Sequence, residues 1–348
     1  MKVGIFPGFF DVSDTAYVQE AERLGAASVW TAEAWGHDAL TPLAYLAART
    51  STIRLGTAIA QIGARSPAML AMSAMSLQAL SGGRFLLGLG VSGPQVMEGW
   101  HGVRFAAPVA ATRETIEIVR KVAAGERLDH DGSVYRLPLP GGQGRALRSL
   151  APPVSVPAYV AAMGPRNLAL TGELADGWIG NAFMPEEAAA FLGPLREGAE
   201  RSGRALTDLD LAIPVAVEFT DDVEEAGRRH AGGYAFTIGA MGSRRRNFYN
   251  DAFARQGFGD AVGEVRRLWL AGDREAAAAA VPLEIGLRTN LLGTEEKIAE
   301  RLRLHRAAGT TTLLAKLDGP PERRLATLGR LLDVVAKVNA EPAPASLT

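Results

Sequence analysis

Apolar runs of five to ten residues alternate with amphipathic stretches along almost the whole chain. "KVGIFPG" (2–8) reads as a strand, and a helix pattern from Asp14, placed as its N-cap, runs to Leu24. "ASVWTAE" (27–33) and "IRLGTAIA" (53–60) are the next strands, separated by the helix pattern "LTPLAYLAART" (40–50). "SPAMLAMSAMSLQAL" (66–80) predicts a helix capped by Ser66 with Pro67 at its first position. "RFLLGLGV" (84–91) is a fourth strand, entered through Ser81-Gly82-Gly83. Residues 92–110 and 126–153 are rich in Gly and Pro and read as irregular, with an amphipathic helix over 112–125 between them. Strands then recur at 154–163, 177–183, 209–219 and 310–317, with helices from Pro165, over 185–202, 295–309 and 321–339, and several within 221–280.

Strands this apolar are covered on both faces. Eight of them, each with a helical return, predict a closed (β/α)8 TIM barrel, with a long insertion after strand 4 and extra helices after strand 7. A doubly wound open sheet is the alternative architecture. Residues 1–340 are expected to form one barrel domain, with 341–348 as a flexible tail. Barrel geometry places chemistry at the carboxyl ends of the strands.

Composition narrows the function classes. The chain has 348 residues and a formal net charge of −1, so no global field favours nucleic acid or an anionic membrane. It contains no cysteine, which removes disulfides, thiolate metal sites and a cysteine nucleophile. No His/Asp/Glu cluster has metal-ligand spacing, and no metal is expected. The first residues lack a secretory apolar run, so a soluble cytoplasmic protein is expected.

Gly88-x-Gly90-x-x-Gly93 has the spacing of a dinucleotide-binding turn. That motif belongs to the first βα unit, opens a sustained helix and needs an acid at the end of a following strand. Here it lies in the fourth unit, and "PQVMEGWHGVRFAAP" continues without a sustained helix. Small residues at a strand mouth, letting a flat ligand approach the backbone, fit better. "YVAAMGPRNLAL" (159–170) runs from a strand through Met163-Gly164 into a helix at Pro165, an arrangement that offers free amides to an anion. An ordinary βα turn is the competing reading.

Glu33 ends strand 2 in an apolar run, where a structural ion pair and a functional acid are both open readings. Trp35 and His37 follow in the same loop, and Trp100 and His101 lie where a lid would sit. Phe9, Trp35 and Trp100 suggest an aromatic substrate wall, with Asn181 at the end of strand 6. Arg65 reads as an anion contact or a loop brace, and Arg244, Arg245 and Arg246 as a solvated face.

Four pieces, "SVWTAEAWGHDALT", "IRLGTAIAQIGARSPAMLA", "LSGGRFLLGLGVSG" and "VAAMGPRNLALTGELADGWIG", together resemble the luciferase-like monooxygenase family, and especially its branch using the deazaflavin coenzyme F420. The resemblance implies the same barrel, a homodimer and an F420-dependent oxidoreductase transferring a hydride to or from a small organic substrate. It implies a non-prolyl cis peptide between Ala58 and Ile59 against the cofactor ring. Glu33 falls near the ring, Gly90, Val91 and Ser92 flank the cofactor, and the turn Ala161-Ala162-Met163-Gly164-Pro165-Arg166 takes its phosphate. Proline donates no N–H, so Arg166 or Asn167 must supply the next amide. Some relatives carry a catalytic His directly after the strand-2 acid. This chain has Ala34 there, which leaves Glu33 or His37 as the candidate proton donors. An FMN-dependent monooxygenase is the alternative function, and a barrel that binds a flavin or ligand without turnover is a third.

Overall fold

The computed structural model describes residues 1–8, 10–242 and 247–342. Phe9, the run Arg244–Arg246 and the tail beyond 342 therefore lie outside the described residues. Eight parallel strands close into a ring: β1 (Lys2–Gly8), β2 (Ser28–Thr31), β3 (Arg54–Thr57), β4 (Phe85–Gly90), β5 (Ala158–Val160), β6 (Gly177–Ile179), β7 (Asp210–Phe219) and β8 (Thr312–Lys316). Each pairs with the next, and β8 returns to β1 with Lys2 opposite Thr312. The ring is the predicted TIM barrel.

Eight helices return the chain outside it: α1 (Thr15–Leu24), α2 (Leu40–Ala47), α3 (Pro67–Ser81), α4 (Pro108–Ala123), α5 (Pro165–Leu174), α6 (Ala189–Arg201), α7 (Glu295–Ala307) and α8 (Pro321–Ala340). Local chemistry sets several ends. Ser66 accepts from the Met69 amide at the start of α3, and Gly82, at φ +63°, closes its other end. Asp14 precedes α1 but gives it no side-chain cap; instead Asp11 and Asp14 form a capping box on the preceding turn, the Asp14 carboxylate accepting from the Asp11 amide, and Asp14 also pairs with Arg324 of α8.

Alternating positions on each strand separate two cores. Outward residues such as Val29, Leu55, Leu87, Val160 and Leu313 pack against the helices. Inward residues Trp30, Leu86, Tyr159, Ile179, Ala212 and Leu314, one from each of six strands, fill the lumen. Trp30 meets Tyr159 edge to face at 5.4 Å and donates from its indole to Ser28. The indole occupies the room that Gly56 leaves on β3, where a Cβ would stand 2.3 Å from the Trp30 ring.

The predicted insertions are present, with structure inside them. A short helix, Pro94–Gly99, follows β4, and residues 130–137 form a small hairpin. That hairpin turns around the buried Glu114 of α4, whose carboxylate accepts from the amides of Ser133, Val134 and Tyr135. After β7 the extra helices build a second core from Ile238, Phe253, Val262 and Val265. Leu291–Gly293 adds a three-residue strand beside the end of β7, too short to stand out as an apolar run. Among the described residues no helix is long and apolar enough to cross a membrane.

Candidate active site

An open cavity of about 250 Å3 sits at the carboxyl ends of the strands. Its apolar floor comes from Ile59, Gly90, Ala161 and Ile179, and Asn181, Met163 and Gly164 continue it toward β6 and α5. Val91, Ser92, Gly93 and Val96 form one wall, and Met241, Gly242, Phe248 and Tyr249 from the extra helices form the wall opposite. Gln95 donates to the Gly242 carbonyl and so joins these two walls across the mouth. Ser92 holds φ +57°, a conformation that costs a non-glycine residue about 1–3 kcal/mol and is kept only where its surroundings fix it.

The Ala58–Ile59 peptide is cis, as the family resemblance implies. Both Ala58 and Ile59 pack against the lumen residues, and Ile59 also lines the cavity. This geometry revises the role of the strand-4 glycines. A Cβ on Gly88 would lie 1.7 Å from the Thr57 carbonyl oxygen, and one on Gly90 would lie 2.8 Å from Ile59. Gly88 lets β3 and β4 approach, and Gly90, itself part of the cavity floor, leaves room for Ile59. Thr57 reinforces that approach, accepting from the Gly88 amide and donating to the Gly88 carbonyl.

Glu33 stands at the edge of the cavity with its carboxylate fully engaged. Arg65 binds it through two nitrogens, at 2.7 and 3.0 Å, and the Gln61 amide donates to it at 2.9 Å. Both side chains are mostly buried, at 8 % and 20 % exposure. The carboxylate raises the Arg65 pKa, and Asp38 stands 3.6 Å from the same guanidinium. Gln61, which the sequence reading passed over, is the hub of this loop. Its side chain donates to the carbonyls of Glu33 and Ala34 and accepts from His101 at 2.8 Å. A polar residue inside the apolar run after β3 is the signal that could have found it.

His37 and Trp100 are not drawn in. His37 is exposed and donates from Nδ1 to the Phe10 carbonyl at 3.2 Å, outside the cavity lining. Trp100 is 64 % exposed and also absent from the lining, whereas Trp35 does line the mouth.

The turn into α5 has the features of an anion site. Gly164 takes the N-cap position and Pro165 the first helical one. Asn167 spends its amide on the Gly164 carbonyl, which leaves the amides of Gly164 and Arg166 without partners among the described residues. A Cβ on Gly164 would meet nothing within 4 Å, so the approach is open. Asn167 Oδ1 is buried and without a partner among the described residues, the condition of an acceptor awaiting a donor. Arg255, from the extra helices, donates to the Met163 carbonyl at 2.5 Å and brings positive charge to the turn. Burial lowers the Arg255 pKa, although a guanidinium stays charged. Ala162 is fully buried, its carbonyl accepting from Trp178, and the side chains of Pro165 and Arg166 point outside the lining.

Tyr249 and Asn181 meet on the far wall, where the Asn181 amide donates to the Tyr249 hydroxyl at 3.2 Å. No triad of potential metal ligands occurs among the described residues.

The luciferase-like monooxygenase family model matches residues 14–312. A Mycobacterium tuberculosis (strain ATCC 25618 / H37Rv) protein, assigned by name rather than by demonstrated activity as a coenzyme F420-dependent oxidoreductase, is 39 % identical over 327 residues, covering 90 % of this chain and 94 % of that one. A 5,10-methylenetetrahydromethanopterin reductase of Archaeoglobus fulgidus is 27 % identical over 313 residues, covering 88 % and 90 %. Among solved structures, the coenzyme F420-dependent tetrahydromethanopterin reductase of Methanopyrus kandleri superposes with a TM-score of 0.77 at 21 % identity, covering 94 % of this chain and 97 % of that one. With the barrel, the cis peptide and the family match in agreement, the chain belongs to the luciferase-like monooxygenase family.

Proposed function

We propose that this chain is a coenzyme F420-dependent oxidoreductase that moves a hydride between the deazaflavin and a small organic substrate. The observation that carries this reading is the α5 turn, with its unspent amides at Gly164 and Arg166 beside an open cavity floored by Ile59, Gly90, Ala161 and Ile179. Relatives named for F420 support the choice of cofactor. The residues fit such a group. Backbone amides and Arg255 suit its phosphate, Asn167 Oδ1 suits a hydroxyl of its side chain, and the apolar floor suits a flat ring system. When bound, the deazaflavin supplies the two-electron chemistry, as donor or acceptor of a hydride.

The chain's own residues supply binding, orientation and exclusion of water. Glu33 acts as a positioning residue: its ion pair with Arg65 and its bond from Gln61 fix the loop that edges the ring site. His37 lies outside the cavity lining with Nδ1 on the Phe10 carbonyl, so neither it nor the engaged Glu33 carboxylate is placed as the proton donor. The functional assembly is a homodimer, a proposal supported by the exposed Met69, Met72 and Leu80 along one face of α3 and checked by sedimentation.

Titrating the purified protein with F420 and, separately, with FMN tests the reading. Saturable F420 binding with weaker FMN binding is expected. Tight FMN binding without F420 binding, accompanied by oxygen uptake with reduced FMN, would replace it with the monooxygenase reading.

A further inference from the structure

Tyr249 lines the cavity, and its phenol has a built support. Asn247, which is 2 % exposed, caps the helix Phe248–Phe253 by accepting from the amides of Tyr249 and Asn250. Its side-chain amide donates to the carbonyls of Thr237 and Ile238, so both ends of Asn247 are committed to placing Tyr249. From the opposite side, Gln256, also 2 % exposed, grips the exit of β6 by donating to the Ala182 carbonyl and accepting from the Met184 amide. That grip fixes Asn181, whose amide donates to the Tyr249 oxygen. With its oxygen accepting from Asn181, the phenol is left with its own proton to give. Burial raises the Tyr249 pKa and keeps the phenol protonated.

We propose that Tyr249, aligned by Asn181, donates a hydrogen bond to the oxygen of a carbonyl-bearing substrate bound in the cavity. The proposal rests on the oxidoreductase reading and assigns it a substrate class, ketones and related carbonyl compounds or the corresponding alcohols. Tyr249 orients the reacting carbonyl and polarises it. In this apolar cavity its single donor is worth more than the same contact in water. Glu33 does not compete for this task, because both its oxygens are held by Arg65 and Gln61.

The experiment uses cyclohexanone labelled with 13C at the carbonyl, added to F420-loaded protein and followed by 13C NMR. The expected result in the wild type is a downfield shift of the bound carbonyl resonance. In Tyr249→Phe, which keeps the ring, that shift disappears and the ketone Kd rises about tenfold, while F420 affinity and thermal stability stay near wild type. Asn181→Ala gives an intermediate shift. An equal shift in wild type and Tyr249→Phe, or no shift in the loaded wild type, overturns the assignment of Tyr249. Failure of F420 to bind at all is read separately in the titration above and overturns the cofactor reading instead.

Discussion

Replacing Glu33 by glutamine removes one charge from a pair whose carboxylate is 8 % and whose guanidinium is 20 % exposed. Breaking a fully buried ion pair from one side costs about 3–5 kcal/mol, because the remaining charge stays desolvated. Two features reduce that here. Asp38, 3.6 Å from Arg65, takes up part of the positive charge, and the amide oxygen of the new side chain can still accept one of the three hydrogen bonds. The expected loss is therefore about 2 kcal/mol. Unfolding entropy of about 2.1 cal/mol/K per residue gives about 0.7 kcal/mol/K for 348 residues, so Tm falls by about 3 °C. Differential scanning calorimetry measures this directly. A double-mutant cycle with Arg65→Met isolates the pair, with a coupling of about 1–2 kcal/mol expected. Because Gln61 lines the cavity and is tied to Glu33, cofactor affinity falls in the same variant. A Tm within 1 °C of wild type together with zero coupling would refute the positioning role.

Further outcomes follow from single contacts. Gly88→Ala puts a Cβ 1.7 Å from the Thr57 carbonyl oxygen, so the variant should lose cooperative folding by circular dichroism, whereas Gly164→Ala, with nothing within 4 Å, should fold normally and lose affinity only for the phosphate-bearing cofactor. Lys316, half-buried over the Phe6 ring, has no hydrogen-bond or ion-pair partner among the described residues, and burial lowers its pKa. Lys316→Met should raise Tm by a degree or more, and a lower Tm would show that the ammonium is compensated. His305 is fully buried and its pKa is pushed down to about 3 by desolvation, with the nearby Arg301 charge adding to the shift. The unfolded chain binds a proton at this residue near pH 6.5 and the folded chain only near pH 3. Stability should therefore fall as pH drops through that window, by about 2 kcal/mol at pH 5, and His305→Gln should flatten that limb of a Tm-versus-pH curve.

The barrel was legible because a strand covered on both faces must be apolar, and eight such runs stand out between amphipathic helices. The motifs at strand ends were legible in position but not always in purpose. Gly88 and Gly90 were read as room for a flat ligand at the mouth of β4, yet the fold shows Thr57 and Ile59 in the space they leave. Glu33 was conspicuous as a lone acid, and its partner Arg65, 32 residues away, was read only as an anion contact or a brace. On the far wall Asn181 was named, but its partner Tyr249 was missed for a related reason. Tyr249 and Asn247 lie in short helices whose contacts are set by long-range packing around Ile238 and Phe253, which no local period reveals. The α5 turn was the converse case, since Gly164 before Pro165 prescribes its own geometry.

A crystal structure of the protein with bound F420 tests the central claim most directly. The expected result places the phosphate within hydrogen-bond reach of the Gly164 and Arg166 amides, with the ring system over the Ala58–Ile59 peptide. Phosphate held instead among Arg229, Arg323 and Arg330, in the cleft beyond β7 and β8 where many barrels bind such groups, would contradict it.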